Sequence, residues 1–327
     1  MTNRSVKRSL TFDRHVAEET YGPGDAYGVP PGPLPAPLFE KMGKAILSVV
    51  AADGRASEAE IQYLTGLARA LGAPKSVTDS YRTFDPKTHR FEETFDATLR
   101  PMARVVLYDA IRTARVDGFA QKEREEARRG AAKLGLEPEL VSRIEGLLAA
   151  EDGVRQARLS VVLSPDRMVG PGPTTAELGE DNEWWRYEQH GLRGPVPAQM
   201  MVKLGKAILK IASGDGMLTE AEEMWFYGMG KALGAPQPAL EEVMKWDPAS
   251  TRLEELIDDS MRPFARMILY DAVRCAAADG FADKERQLAR RAAKLLQVDV
   301  GIVPWMEGVL ELERSVRNAR IKLLSPV

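Results

Sequence analysis

The chain has one cysteine, Cys275, among 327 residues. A disulfide framework is therefore excluded, and a reducing, cytoplasmic setting is the expectation. Histidine occurs three times. His15, His89 and His190 share no ligand spacing, which argues against a zinc site. Charge of one sign is not in excess: the formal net charge is −3. Neither nucleic acid nor an anionic membrane is favoured by bulk electrostatics. No apolar run approaches the roughly 20 residues of a membrane helix, so membrane insertion is not expected. The basic start MTNRSVKRSLTFDRH has no apolar segment and does not read as a secretion signal. Alternating β-type runs, a phosphate-binding glycine loop and a repeated Ser/His/Asp or Cys/His set are also missing, so no catalytic set is assigned and no enzyme is expected.

What the chain does have is one long stretch written twice. Lys44-Ala45-Ile46-Leu47 recurs as Lys206-Ala207-Ile208-Leu209, Leu71-Gly72-Ala73-Pro74 as Leu233-Gly234-Ala235-Pro236, and Leu107-Tyr108-Asp109-Ala110 as Leu269-Tyr270-Asp271-Ala272. The offset is 162 in each case. So long a period reads as a duplicated domain, since solenoid units are far shorter. The expected organisation is a Pro/Gly-rich extension over 1–37, a helical domain over 38–165, a linker with an aromatic segment over 166–197, and a second helical domain over 198–327.

Within each copy the apolar residues fall at helical spacing. Leu38, Met42, Ala45, Ile46 and Val49 trace one stripe, and Ile61, Leu64, Ala68 and Leu71 another, stopped by Gly72 and Pro74. Pro101 and Pro263 sit where a helix can begin, and a long helix is expected from Met102 towards Asp117. The fold class is all-α.

Four Asp-Gly steps stand between helices: Asp53-Gly54, Asp117-Gly118, Asp215-Gly216 and Asp279-Gly280. Glycine supplies the positive φ that reverses the chain, and the aspartate bonds turn amides. Ser57 with Glu60, and Thr219 with Glu222, have the spacing of capping boxes. Asp53 and Glu60, like Asp215 and Glu222, also have the Asp-to-Glu separation of a calcium loop. The earlier ligand positions are Val49 and Ala51 or Ile211 and Ser213, so a single loop cannot supply about six oxygens. A composite site built from several turns stays open.

These words, AADGRASEAE and LYDAIRTARVDGFAQKERE with SGDGMLTEAEE and LYDAVRCAAADGFADKERQ, resemble the TerB-like family of tellurite-resistance proteins in two tandem copies. The resemblance spans most of both repeats. It implies compact all-α domains that serve as metal- or stress-linked interaction units. It also implies a divalent-metal role for Asp53, Glu60, Asp117, Glu123, Asp215, Glu222, Asp279 and Glu285.

Three further features are read from the residues. Arg100, Arg104, Asp109 and Arg112 recur as Arg262, Arg266, Asp271 and Arg274. They make either a structural network that ties this helix to a turn carboxylate or, as a weaker reading, a clamp for an anionic ligand. Trp184, Trp185 and Tyr187 stand in a polar linker and are expected as partner-binding anchors, with folding back onto their own domain as the bland reading. Trp225, Phe226, Trp246 and Trp305 stand where the first copy has Tyr63, Leu64, Phe84 and Arg143, and read mostly as larger core filling. The favoured function is a non-enzymatic, bivalent interaction module or scaffold with protein partners, in a bacterial-type stress or assembly system.

Overall fold

The computed structural model describes residues 34–88, 94–163, 183–192 and 196–325, together with residues 7, 8, 14, 17, 21, 27 and 194. Among these the chain is all-α, with fourteen α-helices. The first repeat gives α1 (Ala36–Val50), α2 (Glu58–Ala70), α3 (Lys75–Tyr81), α4 (Ala103–Ala114), α5 (Gln121–Lys133) and α6 (Leu140–Val162). After α7 (Glu183–His190) come α8 (Ala198–Ala212), α9 (Glu220–Ala232), α10 (Gln237–Lys245), α11 (Leu253–Leu256), α12 (Ala265–Ala276), α13 (Asp283–Leu295) and α14 (Ile302–Leu324). The bounds of α8, α9, α12, α13 and α14 are those of α1, α2, α4, α5 and α6 displaced by 162 residues at both ends. The described β-structure is one parallel pairing of β1 (Lys7–Arg8) with β2 (Met217–Leu218).

The helix signals act locally as their chemistry requires. Ser57 accepts from the Glu60 amide while Glu60 accepts from Ser57 N, and Thr219 and Glu222 repeat the pair. The four turn glycines, Gly54, Gly118, Gly216 and Gly280, all have positive φ. The proline words behave differently from a simple helix start. Pro101 and Pro263 lie inside 3-10 turns, Ala97–Met102 and Asp259–Phe264, and α4 and α12 begin only after them. A 3-10 turn tolerates the missing N–H, so regular α geometry starts past the ring.

The chain divides into two compact units, each discontinuous in sequence. The first-repeat unit comprises Ala26–Gly153, Pro173–Trp185 and Ser315–Val327. Its core holds Leu47, Val106, Leu107, Ile111 and Ile144, with Leu323 and Leu324. The second-repeat unit comprises Met1–Asp25, Val154–Gly172 and Arg186–Arg314. Its core holds Leu209, Phe226, Ile268, Leu269 and Val273, with Val161 and Val162.

Each unit also seats a distant segment on a helical glycine. In the first-repeat unit a Cβ on Gly66 would lie 2.4 Å from the Trp184 ring. In the second-repeat unit a Cβ on Gly228, the equivalent position, would lie 2.1 Å from the carbonyl oxygen of Ala17. Backbone cannot swing aside as a side chain can. We expect Gly228→Ala to cost about 1–3 kcal/mol through overpacking. Gly146→Ala, on α6 with nothing within 4 Å of the new methyl, should be neutral or stabilising by about 0.5–1 kcal/mol. Denaturant midpoints of the two variants check this.

Candidate functional site

The turn carboxylates of each repeat are drawn together. In the first-repeat unit α2 and α5 both start after an Asp-Gly turn. Glu60 turns back to the Ser57 amide at 2.7 Å, and Glu123 turns back to the Ala120 amide at 2.6 Å. Both glutamates are nearly fully buried. Glu60 feels the charges of Asp117 and Glu123, and Glu123 those of Asp53 and Asp117. The second-repeat unit repeats the arrangement, with Glu222 on the Thr219 amide at 2.8 Å and Glu285 on the Ala282 amide at 2.7 Å. Glu222 feels Glu285 and Asp279, and Glu285 feels Asp215 and Asp279. All eight sequence-predicted residues therefore fall into two clusters of four.

Burial dominates their titration. It pushes Glu60 up to about 8 and Glu222 to about 8, against the pull of the capping amides, and like charges add to the rise. Glu123 and Glu285 rise to about 7 for the same reasons. One oxygen of each upper glutamate, Glu60 Oε1 and Glu222 Oε1, is buried with no hydrogen-bond partner. Near neutral pH such a cluster favours a bound proton. Among the described residues, however, no three His, Cys, Asp or Glu side chains are arranged so as to hold a metal ion.

The mid-helix charges form a different, structural set. Asp109, buried and raised to about 7 by that burial, accepts from the Tyr27 hydroxyl at 2.9 Å. Asp271, its counterpart, faces His190 Nε2 at 3.0 Å. The partner thus comes from the segment preceding each repeat, and the expected link to a turn carboxylate gives way to it. Tyr108 donates to Glu151, which also takes Arg320 at 2.8 Å. In the other unit Arg158 meets Glu313 at 2.6 Å beside Tyr270. Arg104 donates to the Leu323 carbonyl at 2.9 Å and to Glu137 at 3.0 Å, while Arg266 donates to the Leu163 carbonyl at 3.1 Å. Each closes the end of a long helix. Arg112 lies over the Tyr63 ring, and Arg100 is exposed. Arg104 and Arg112 thus already engage protein groups, and this leaves the anion clamp without support.

The aromatic linker residues are turned inward, as α7. Trp184, 5 % exposed, packs edge-on against Tyr63 with ring centroids 5.3 Å apart. Trp185 is half-buried beside it. Tyr187, 4 % exposed, lies under Arg155. Trp184 and Tyr187 thus fold back and pack within their own units, the alternative weighed for this segment, while Trp185 is only half-buried.

Trp305, expected as larger core filling, lies on the surface instead. Trp305 is 69 % exposed and Leu312 is 51 % exposed. Both lie on α14, seven residues apart, on one helix face with the exposed Gly308 between them. The signal was its first-copy counterpart: Arg143 is a surface residue, so its replacement by tryptophan adds apolar surface. Leu312 likewise replaces Ala150.

A search of solved structures matched a tellurite resistance protein from Nostoc punctiforme, 25 % identical, over 50 % of this chain and 98 % of that one, with a TM-score of 0.42. A scan against protein-family models matched none, and a search of curated proteins gave no match. At that TM-score the likeness carries no conclusion about site or activity.

The raised glutamates set a pH dependence. Their folded values lie above the ordinary 4.5, so the folded state binds more protons between about 5 and 8, and stability falls as pH rises through that window. Glu60→Gln with Glu222→Gln keeps an acceptor for each capping amide and removes the charge. The parent melting temperature should fall from pH 5 to pH 8, and the double variant should fall less. Equal slopes would contradict the assignment.

Proposed function

We propose that the chain is a non-enzymatic interaction protein whose second repeat carries a docking face on α14. Trp305 and Leu312 carry this reading: the repeat makes the same helix at Arg143 and Ala150 without an apolar face, so the fold does not require one. Two exposed apolar side chains on one helix face, where the first repeat has none, support a partner contact there. The resemblance to TerB-like proteins adds a bacterial stress-response or assembly setting to this reading. Trp305→Arg with Leu312→Ala, on an exposed face, should leave the melting temperature unchanged within about 2 °C and remove the proteins that co-purify with the parent chain. The same set on both chains would end the reading.

A second reading is favoured by Glu60 Oε1 and Glu222 Oε1, the buried carboxylate oxygens with no donor. The clusters suit a divalent, oxygen-seeking cation in their chemistry, but not in convergence, and this reading stands second. A cation at about 100 times its dissociation constant adds roughly 2.7 kcal/mol to the folded state. Adding calcium, magnesium, manganese or zinc to the chelator-treated chain should then raise the melting temperature by about 5–15 °C. Asp53→Asn with Asp117→Asn should reduce that rise, leaving the second-repeat cluster as its source. No rise with any of the four ions would remove the reading.

A further inference from the structure

A second surface, apart from the α14 face, lies on α9 of the second-repeat unit. We propose that it is a helix-binding groove filled by the chain's own N-terminal arm, and that it accepts a partner helix bearing arginine, a small residue and tyrosine at i, i+3 and i+7. The seated arm shows what the groove recognises.

Arg14, Ala17 and Tyr21 are helical and have that spacing, so they fall on one face. Ala17 is fully buried, and its carbonyl stands against Gly228, where any Cβ would strike it. Tyr21 Cβ comes within 3.0 Å of the same point. Glycine on α9 permits so close an approach of backbone, and the burial of Ala17 leaves no room for a larger side chain. Arg14 lies over the Tyr227 ring, 5.4 Å from its centroid, and pairs with Glu241 of α10 at 3.6 Å. Ahead of this helical part, Lys7 and Arg8 pair with Met217 and Leu218 of β2.

The groove is a property of the second repeat. Leu218, Tyr227 and Glu241 stand where the first repeat has Ala56, Thr65 and Asp79, and Gly228 where it has Gly66. Leu218 and Tyr227, each 2 % exposed, join Ala17 and Tyr21 in one apolar cluster. In the first-repeat unit the glycine is covered by the Trp184 ring instead. The second repeat thus has a larger apolar floor, a tyrosine that receives a cation and a carboxylate beside it, and this set matches a helix with those three residues on one face.

The arm's hold is thin. Its strand pairing spans two residues, and Met217 stays 44 % exposed beneath it. The ion pair is 54 % exposed at Arg14 and 36 % at Glu241, a setting in which such a pair contributes little. Tethering is what favours the arm, since a linked segment acts at roughly millimolar effective concentration. A free helix with the same face makes the same contacts and displaces the arm once its concentration or added contacts exceed that advantage.

The test uses full-length chains and a fluorescein-labelled peptide of residues 1–25, followed by anisotropy. The parent chain should bind it weakly, because its own arm competes. Ala17→Glu in the chain unseats the arm and should tighten peptide binding at least tenfold; adding Gly228→Ala should reverse that gain about tenfold. Where circular dichroism shows Ala17→Glu unfolded, Arg14→Glu at the exposed end of the arm replaces it, with an expected gain of about threefold. A labelled alanine-lysine helix carrying only Arg, Ala and Tyr at the arm's spacing should bind the same arm-released chain, and should lose binding when that alanine is made tryptophan. No gain from the arm variant would overturn the inference, since the arm would not then be a displaceable occupant of the groove. Binding of the arm peptide without binding of the alanine-lysine helix would also overturn it, because the groove would be private to its own arm. Neither result depends on Trp305 or Leu312, so the α14 reading is judged separately.

Discussion

Two capping glutamates meeting in each unit are the constraint on which the rest of the structure depends. Glu60 and Glu123 both turn back to the amides that open their helices, and the turning brings both carboxyls into one buried place. Glu222 and Glu285 do the same. The Asp-Gly turns are thereby fixed in position, since each begins a helix whose first turn is pinned. A helix N-terminus favours an anionic side chain, but burial here outweighs that preference and holds all four glutamates towards the protonated form. The cluster is a fold-defining contact first, and any ligand it takes must displace a proton.

The second structural theme is the same polar problem solved twice with different residues. Asp109 and Asp271 sit on the buried face of α4 and α12, where an unpaired carboxyl is costly. Tyr27 serves one and His190 the other. Glu151 and Glu313 each receive an arginine, Arg320 and Arg158, from the far end of a long helix. Replacing a buried ion pair by apolar residues need not destabilise a protein, whereas removing one partner does so strongly. These pairs thus oblige each unit to keep its distant segment in place, just as Gly66 and Gly228 leave room for Trp184 and Ala17.

Much of this was legible in the chain. The Ser57 and Thr219 caps, the turn glycines and the apolar stripes are local signals, and local chemistry decides them. The grouping of Asp53, Glu60, Asp117 and Glu123 was suggested by resemblance alone, because nothing in the spacing says that two turns some 60 residues apart will face each other. What the residues could not reveal was direction. Trp184 and Tyr187 lie in a polar, proline-flanked stretch and look exposed, yet α7 turns them inward. Trp305 sits in an Ile/Val/Met-rich helix start and looks buried, yet its rotation about the α14 axis points it outward. A difference of 100° on a helix decides between core and surface. Only the comparison with Arg143 held that information.

Side-chain carboxyl chemical shifts of glutamate, followed by carbon-13 NMR from pH 3 to pH 10, test the central claim most directly. Glu60 and Glu222 should titrate near 8, and Glu123 and Glu285 near 7, with the first-repeat pair moving together. Titration of all four below pH 5 would contradict the account: the glutamates would then be ordinary solvated caps, and the two Asp-Gly turns of each repeat would not share a buried site.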